Sequence, residues 1–139
     1  MKSVSERGKG MFSTNVYNYI NVLNKAADAS WLREETIANN IANADTPGYK
    51  RKDVNFESAL RTELGNMKYN TLDSKVDNVS LSRLNVSTYV DASNYSYRID
   101  KNNVDIDTEN VELASEQIRY SALTDSITQE FSRLKSVIK

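Results

Sequence analysis

The chain has 139 residues, which is enough for one domain with a single hydrophobic core. Its 18 Lys and Arg residues nearly balance its 19 Asp and Glu residues, so we expect no surface dedicated to nucleic acid or to an anionic membrane. The absence of Cys and His excludes disulfides, thiol nucleophiles, Ser–His triads and the common zinc ligand sets.

The first part of the chain is predicted to be a flexible tail, residues 1–12, followed by one long helix, residues 13–43, with Ser13 as its N-cap. The tail has no apolar run of signal-peptide length, so we expect no cleaved secretory signal. Apolar residues in the helix recur at three- and four-residue spacing, which predicts one packing face. That face consists of Val16, Ile20, Leu23, Ala27, Trp31, Ile37, Ala38, Ile41 and Ala42.

Several polar residues of this helix need a separate interpretation. Ser30 and Glu34 interrupt the apolar face, and Glu34 projects from its middle. Two interpretations of Glu34 are open: an exposed glutamate where a partner helix diverges, or an ion pair with an Arg or Lys of a neighbouring subunit. Asn39, Asn40 and Asn43 are expected together on the opposite, polar face, with Asn43 ending the helix.

The only proline of the chain, Pro47, must end this helix because it lacks an N–H and disfavours the helical conformation in the residue before it. The tetrapeptide 46–49 has Pro47 second and Gly48 third, which predicts a type II turn. The basic run Lys50–Lys52 follows, and three charges without interleaved aromatic residues are more typical of a solvated turn than of a phosphate site. The turn motif comprises Asn39, Asn40, Asn43, Asp45, Thr46, Pro47, Gly48 and Tyr49.

The middle of the chain, residues 44–106, is predicted to be an insertion with little core material. Asn55 can cap a short helix that ends at Gly65. Residues 66–81 are polar and only sparsely apolar, which favours an irregular or mobile loop. Apolar and polar residues then alternate over residues 84–90 and 95–99, with a segment of turn composition between them, so we predict a small β-hairpin.

The last segment, residues 107–139, is predicted to be a second long helix capped by Asp107. Its apolar residues form two stripes about half a turn apart, and one partner helix can cover only one of them. The predicted fold class is therefore mainly α, with two long terminal helices that pair as a coiled-coil-like layer and a short helix and β-hairpin inserted between them. The first stripe is Leu113, Tyr120, Leu123, Ile127, Phe131, Leu134 and Ile138, and the second is Val111, Ala114, Ile118 and Ala122.

No constellation of residues predicts a catalytic, cofactor or metal site. Asp105, Asp107 and Glu109 alternate, with Glu116 at the twelfth position, but the sixth position of this run is Asn110 rather than the Gly of an EF-hand. A helix N-cap followed by first-turn acids is the preferred interpretation. We therefore predict no enzyme activity, no cofactor, no nucleic acid and no small-molecule substrate. The residues alone indicate a helical oligomerisation module.

Two blocks of sequence resemble bacterial flagellar rod and hook proteins. The first is ANNIANADTPGYKRKDVNF, residues 38–56, and the second is NNVDIDTENVELASEQIRYSAL, residues 102–123. The Asp-Thr-Pro-Gly-Tyr form of the turn motif is most similar to that of the proximal rod protein of this family. One departure is Lys101, at a position where the family often has Gly.

The resemblance implies a structural subunit of the flagellar basal body rod that polymerises through its terminal helices. It implies export by the flagellar type III system without a cleaved signal peptide, and a place in the periplasmic rod. The implied partners are copies of itself, other rod proteins, and membrane-ring and export-gate proteins at the rod base. The alternatives are a sibling rod protein of the same family and a cytosolic coiled-coil adaptor or regulator that dimerises through the same helices.

Overall fold

Two long helices dominate the protein. The computed structural model describes residues 4–65, 68, 71–91 and 99–138. Helix α1 covers Val4–Ala42 and helix α4 covers Ile106–Val137, and the two pack along each other. Residues 30–40 of α1 meet residues 109–116 of α4 in reverse order, so the helices run antiparallel. This arrangement confirms the predicted fold class.

Helix α1 begins earlier than predicted. It starts at Val4, inside the segment predicted as a tail, so the expected start at Ser13 is too late. Residues 4–12 contain glycines but no proline, and a glycine weakens a helix by only about 1 kcal/mol. At the other end the N–H of Asn43 donates to the C=O of Asn39 at 3.1 Å, in agreement with the expected helix end.

Among its described residues, the insertion contains two strands and two short helices. In order, its elements are β1 (Lys52–Val54), α2 (Glu57–Gly65), α3 (Leu72–Asp77), a 3-10 turn (Leu81–Arg83) and β2 (Thr88–Val90). Helix α2 is the predicted short helix, and it ends at Gly65 as expected.

The two strands form a small antiparallel element. Strands β1 and β2 pair with Lys52 opposite Val90 and Val54 opposite Thr88. Strand β2 thus lies in the first predicted hairpin strand, but its partner comes from the segment after the turn motif. Most of the predicted second hairpin strand, residues 95–98, lies outside the described residues, and Ile99 lies in a turn.

Helix α3 lies in a segment predicted to be irregular or mobile. Thr71 caps it by accepting a hydrogen bond from the N–H of Ser74, and the buried side chain of Val76 anchors it. The hydroxyl of Tyr19 on α1 donates to the carboxylate of Asp73. One apolar residue and well-placed caps suffice for such a short helix because α1 supplies the surface beneath it.

The N-cap of helix α4 lies two residues earlier than predicted, at Asp105 and not at Asp107. The Asp105 carboxylate accepts hydrogen bonds from the Thr108 hydroxyl at 3.0 Å and from the Asp107 N–H at 3.1 Å. The hydrogen bonds from Thr108 and Asp107 lower the pKa of Asp105 from its ordinary value. Asp107 lies in the first turn, where a negative charge is favoured by the helix dipole.

The hydrophobic core is small and lies between α1 and the insertion. It is centred on Ala29, Phe56 and Leu84. Helix α4 contributes no apolar residue that is fully buried: its buried residues are the carboxylates Glu109 and Glu116. The pairing of the long helices therefore depends on polar contacts to an unusual degree, and much of the apolar surface of α4 is left uncovered.

Candidate functional site

The turn motif has the predicted geometry. Gly48 has φ +75°, and the N–H of Tyr49 donates to the C=O of Thr46 at 3.2 Å, as a type II turn requires. The N–H of Gly48 donates to the C=O of Asp100 at 2.8 Å. The turn is thus attached directly to the segment that leads into α4.

Asn102 holds the end of α1 from a distant part of the sequence. Its side chain is fully buried, and its amide nitrogen donates to the C=O of Asn43, Ala44 and Thr46 at 2.8–2.9 Å. An amide has two N–H groups, so one of them is shared between two of these carbonyls. The amide oxygen accepts from the N–H of Val104 at 2.8 Å. Both polar atoms of the Asn102 side chain therefore have partners, and its amide nitrogen fastens the turn.

Lys101 adopts a backbone conformation that favours glycine. Its φ is +63°, in the left-handed region where a side chain is strained. The ammonium group of Lys50 donates to the C=O of Lys101 at 2.6 Å. The position at which this sequence departs from the family pattern is thus one where the backbone suits Gly.

Asn40 is buried, which corrects the prediction that it lies on a polar face. Its amide oxygen accepts from the N–H of Lys52 at 3.0 Å, and its amide nitrogen donates to the C=O of the same residue at 2.8 Å. The nitrogen also donates to Glu109 at 3.0 Å, and the oxygen accepts from the Tyr49 hydroxyl at 3.1 Å. Burial, with the nearby charge of Glu109, raises the pKa of Tyr49. Asn40 therefore joins α1, β1 and α4 at one point.

Arg51 is largely buried, which corrects the prediction that the basic run is a solvated turn. Its side chain is only 11% exposed and contacts three carboxylates: Glu109, Asp53 at 3.2 Å and Asp91 at 3.0 Å. Burial opposes its positive charge, but the hydrogen bond and charge of Glu109, with those of Asp53, outweigh burial and raise its pKa. Lys50 and Lys52, in contrast, are exposed.

A second cluster of charges lies on the same side of α4. Arg33 contacts Asp53 at 3.0 Å, Glu112 at 3.1 Å and Glu116 at 3.3 Å. Burial disfavours the charged guanidinium, but the three carboxylates outweigh that effect and raise the pKa of Arg33. The hydroxyl of Ser30 donates to Glu116 at 2.6 Å. Asp53 belongs to both clusters, so the charges form one continuous network from the turn motif to the middle of the helix pair.

This network is suited to fixing structure rather than to catalysis. Its carboxylates are occupied by Arg, Asn or Ser donors, so none is arranged as an acid–base pair on a reacting group. In the part of the chain that the structure describes, no three His, Cys, Asp or Glu side chains could hold a metal ion. Within the same residues, no helix has the length and apolar character needed to cross a membrane.

The predicted packing residues of α1 differ in their surroundings. Ile20 and Ile37 are buried, and Val16, Leu23, Ala27 and Ile41 are half-buried. Trp31 is 59% exposed and does not pack between the two helices of its own chain. Glu34 is half-buried, and its Oε1 atom has no hydrogen-bond partner among the described residues.

The two predicted stripes of α4 are unequally covered. In the first stripe Leu113, Leu123, Ile127 and Leu134 are half-buried, whereas Tyr120, Phe131 and Ile138 are exposed. The second stripe is exposed throughout, with Val111 at 71% and Ile118 at 73%, and Ala114 and Ala122 lie on the same outer face. A continuous apolar strip therefore faces away from the rest of the chain.

The sequence reasoning missed the main polar contacts of this site. The sequence pattern predicts Glu109 as a first-turn acid and offers Glu116 only as the twelfth position of a rejected EF-hand run, and it assigns no role to Arg33 or Asn102. One signal was available: Glu116 lies in register with the apolar stripe that contains Leu113, Tyr120 and Leu123, so its side chain had to enter the helix pair. Ser30, which donates a hydrogen bond to Glu116, interrupts the apolar face of α1 that packs against α4.

Comparisons with known proteins agree with this structural character. Residues 20–50 match the model of a family described as Flagella basal body rod protein. The chain is 37% identical to the flagellar basal body rod protein FlgB of Bacillus subtilis (strain 168), over 92% of this chain and 95% of that protein. It is 31% identical to FlgB of Borrelia hermsii, over 86% of this chain and 95% of that protein. It is 27% identical to FlgB of Escherichia coli (strain K12), over 77% of this chain and 83% of that protein.

Proposed function

This chain belongs to the FlgB family of flagellar basal body rod proteins, and on that premise we propose that it builds the proximal rod by packing its long helices against neighbouring subunits. It is a structural subunit of the rod and not an enzyme. The relatives named above all bear the FlgB name, which favours this rod protein over its sibling.

The single observation that supports the packing is the exposed strip Val111, Ala114, Ile118 and Ala122 on α4. Helix α1 covers the other side of α4, so this strip needs a partner from outside the chain. Apolar surface gains roughly 25 cal/mol for each Å² removed from water, so four such side chains favour a contact with another subunit. The contact joins two different surfaces, and a repeated contact of that kind can extend into a helical assembly.

The turn motif contributes to assembly by fixing where α1 ends. Asn102 and Asn40 tie the turn to the approach of α4 and to β1, so the insertion leaves the helix pair at a defined point. We propose that this joint keeps the insertion out of the layer in which helices of neighbouring subunits pack. The motif residues act here through geometry and carry out no chemistry.

We also propose that the subunit lies at the base of the rod, where its partners include membrane-ring and export-gate proteins. The family resemblance supports this position and the type III route of export without a cleaved signal. Crosslinking of the assembled subunit to ring and export-gate proteins in isolated basal bodies tests the position. Recovery of the chain in basal bodies with crosslinks only to distal rod proteins would contradict it.

The packing proposal predicts the effect of Ile118→Glu. Ile118 is 73% exposed, so the substitution should change the folding free energy by no more than about 0.5 kcal/mol and leave the circular dichroism spectrum unchanged. The variant should nevertheless fail to enter basal bodies and should not support motility. Gln117→Glu is the matched control because Gln117 is exposed beside the strip. Normal motility of the Ile118 variant would refute the proposed contact.

A further inference from the structure

We propose that Trp31 of one copy inserts into a cavity between α1, α2 and α4 of a second copy. The inference rests on the proposed self-assembly of the chain and names two complementary surfaces for it. It concerns a contact distinct from the exposed strip of α4.

Trp31 has the properties of an anchor residue for a protein contact. It is the only tryptophan of the chain, and 59% of its surface is exposed on a helix that is otherwise well packed at this level. Buried Trp side chains are among the commonest residues that dominate interface energies. Its surroundings are acidic, since Asp28, Glu34 and Glu35 all lie within one helical turn of it.

Glu34 adds an independent indication that this surface is incomplete. Its Oε1 atom is buried without a hydrogen-bond partner among the described residues. An unsatisfied carboxylate oxygen destabilises the free chain, and a cation supplied by another subunit would remove that cost. Since Glu34 Oε1 makes no hydrogen bond within the described residues, its rotation toward such a cation costs no hydrogen bond of that atom.

The cavity has the size and the floor that an indole ring needs. It has a volume of about 430 Å³, and its floor includes Ala29, Phe56, Leu60 and Leu123. An engineered apolar cavity of about 150 Å³ already binds benzene, so this space accommodates the larger indole with room for flanking groups. The cavity is open at one side.

The rim of the cavity complements the charge around Trp31. Its charged lining residues are Arg33, Arg61 and Arg119 together with Asp53, Glu57 and Glu116, and each of these carboxylates pairs with Arg33 or Arg119. Arg119 pairs with Glu57 and Glu116, whereas Arg61 is exposed and has no ion pair within the described part of the chain. A guanidinium at this rim can pair with Asp28, Glu34 or Glu35 of the incoming copy and can also lie over the indole face. Arg61, the lining cation without an ion pair in the described part of the chain, therefore favours the acidic surface around Trp31 of a second copy as the occupant.

The two surfaces lie on opposite sides of α1. Four residues of α1 line the cavity, and at 100° per residue their mean direction is about half a turn from Trp31. A chain therefore cannot insert its own Trp31 into its own cavity. A contact between two different surfaces can repeat from one copy to the next without closing, which suits a rod. The four residues are Ala26, Ala29, Ser30 and Arg33.

The absence of Cys from the chain allows a direct test in assembled basal bodies. A variant with Asp28→Cys and Arg61→Cys is treated with a short thiol–thiol crosslinker after the basal bodies are isolated. Denaturing gels should then show dimers and higher multiples of the subunit. The control pair is Asp28→Cys with Arg83→Cys, because Arg83 is 75% exposed and does not line the cavity. This control should yield monomer only.

Intrinsic fluorescence of Trp31 gives a second readout. In basal bodies reconstituted with the wild-type chain, acrylamide quenching of Trp31 should fall about twofold or more relative to the free chain, since a ring that is 59% exposed becomes buried. Arg61→Glu should abolish this protection, and Arg61→Glu combined with Glu35→Arg should restore it. Arg83→Glu, with the same change of charge, should have no effect.

The outcomes separate this inference from the proposed function. If the chain is present in basal bodies but Asp28 and Arg61 do not crosslink between copies, or Trp31 stays open to quencher, the Trp31 contact is refuted and the rod function stands. If the wild-type chain is absent from basal bodies, the proposed function itself is refuted.

Discussion

The buried pair of Glu109 and Arg51 gives the sharpest test of how the long helices are held together. Glu109 is fully buried, and both groups that contact it are donors: the guanidinium of Arg51 and the amide nitrogen of Asn40. A Gln at this position can offer its oxygen to only one of them and must turn its own NH₂ group toward the other. Glu109→Gln therefore changes the side chain by one atom and breaks the arrangement.

The expected loss follows from the burial of the pair. Removing one member of a buried ion pair destabilises a protein by about 3–5 kcal/mol. Arg51 keeps Asp53 and Asp91 as partners, so we expect a smaller loss, about 2–3 kcal/mol. That is a large part of a total stability of about 5–15 kcal/mol. Glu112→Gln is the matched control: its side chain is 38% exposed, and loss of its pair with Arg33 should change stability by less than about 1 kcal/mol.

Urea unfolding of the full-length chain, followed by circular dichroism at one protein concentration, measures both variants. Glu109→Gln should lower the unfolding midpoint clearly more than Glu112→Gln, with the same slope. Equal midpoints for the two variants would refute the claim that the buried pair carries the helix pairing. A shallower slope for Glu109→Gln alone would indicate loss of two-state behaviour, and the comparison would then be made by hydrogen exchange of α4 amides.

Three further substitutions test the turn and the cap. Gly48→Ala should destabilise the chain by about 1–2 kcal/mol in urea unfolding, because a φ of +75° is strained for any residue with a Cβ. Nothing lies within 4 Å of the added Cβ, so the loss would come from the backbone and not from a clash. An unchanged unfolding midpoint would contradict the turn assignment. Lys101→Gly should instead stabilise the folded chain by about 0.5–1 kcal/mol. Relief of the left-handed backbone strain at this position exceeds the conformational entropy that glycine adds to the unfolded chain. The pKa of Asp105 in the folded chain lies below its ordinary value of 3.8. Ionised Asp105 therefore stabilises the folded chain above pH 3.8, and this stabilisation is lost as the pH falls through the folded pKa. The difference in unfolding midpoint between the wild-type chain and Asp105→Asn, measured from pH 6 to pH 2, should therefore change only at the acidic end, and a difference that varied between pH 5 and 6 would contradict this origin.

Much of the fold was predictable because it depends on local chemistry. Pro47 and Gly48 define the turn, and the positive φ of Gly48 confirms it. The 3.6-residue periodicity predicted both long helices, and the distribution of apolar residues on α4 predicted that Ile118 would be left uncovered. These features need only the residue itself or its neighbours within two turns.

What the sequence did not reveal depends on partners that are far apart in the chain. The sequence pattern predicts Asn40 on the polar face that it shares with Asn39 and Asn43, but Lys52 and Glu109 satisfy its amide group in the interior. The sequence pattern groups Arg51 with its basic neighbours, whereas its environment is set by carboxylates from β1, the end of β2 and α4. Periodicity identifies which face a residue lies on, and it does not identify which charge will meet it there.

The hydrogen bonds of Asn102 also determine when the end of α1 can be completed. The carbonyls that Asn102 satisfies precede it by 56 to 59 residues. A chain that emerges from a ribosome or a narrow conduit with its N-terminus first can wind α1 at once, because a helix needs only local contacts. Its turn stays unfastened until the residues around Asn102 have also emerged, since a long loop must close before those bonds can form. The order in which the chain appears thus makes this joint one of the last parts of the subunit to form.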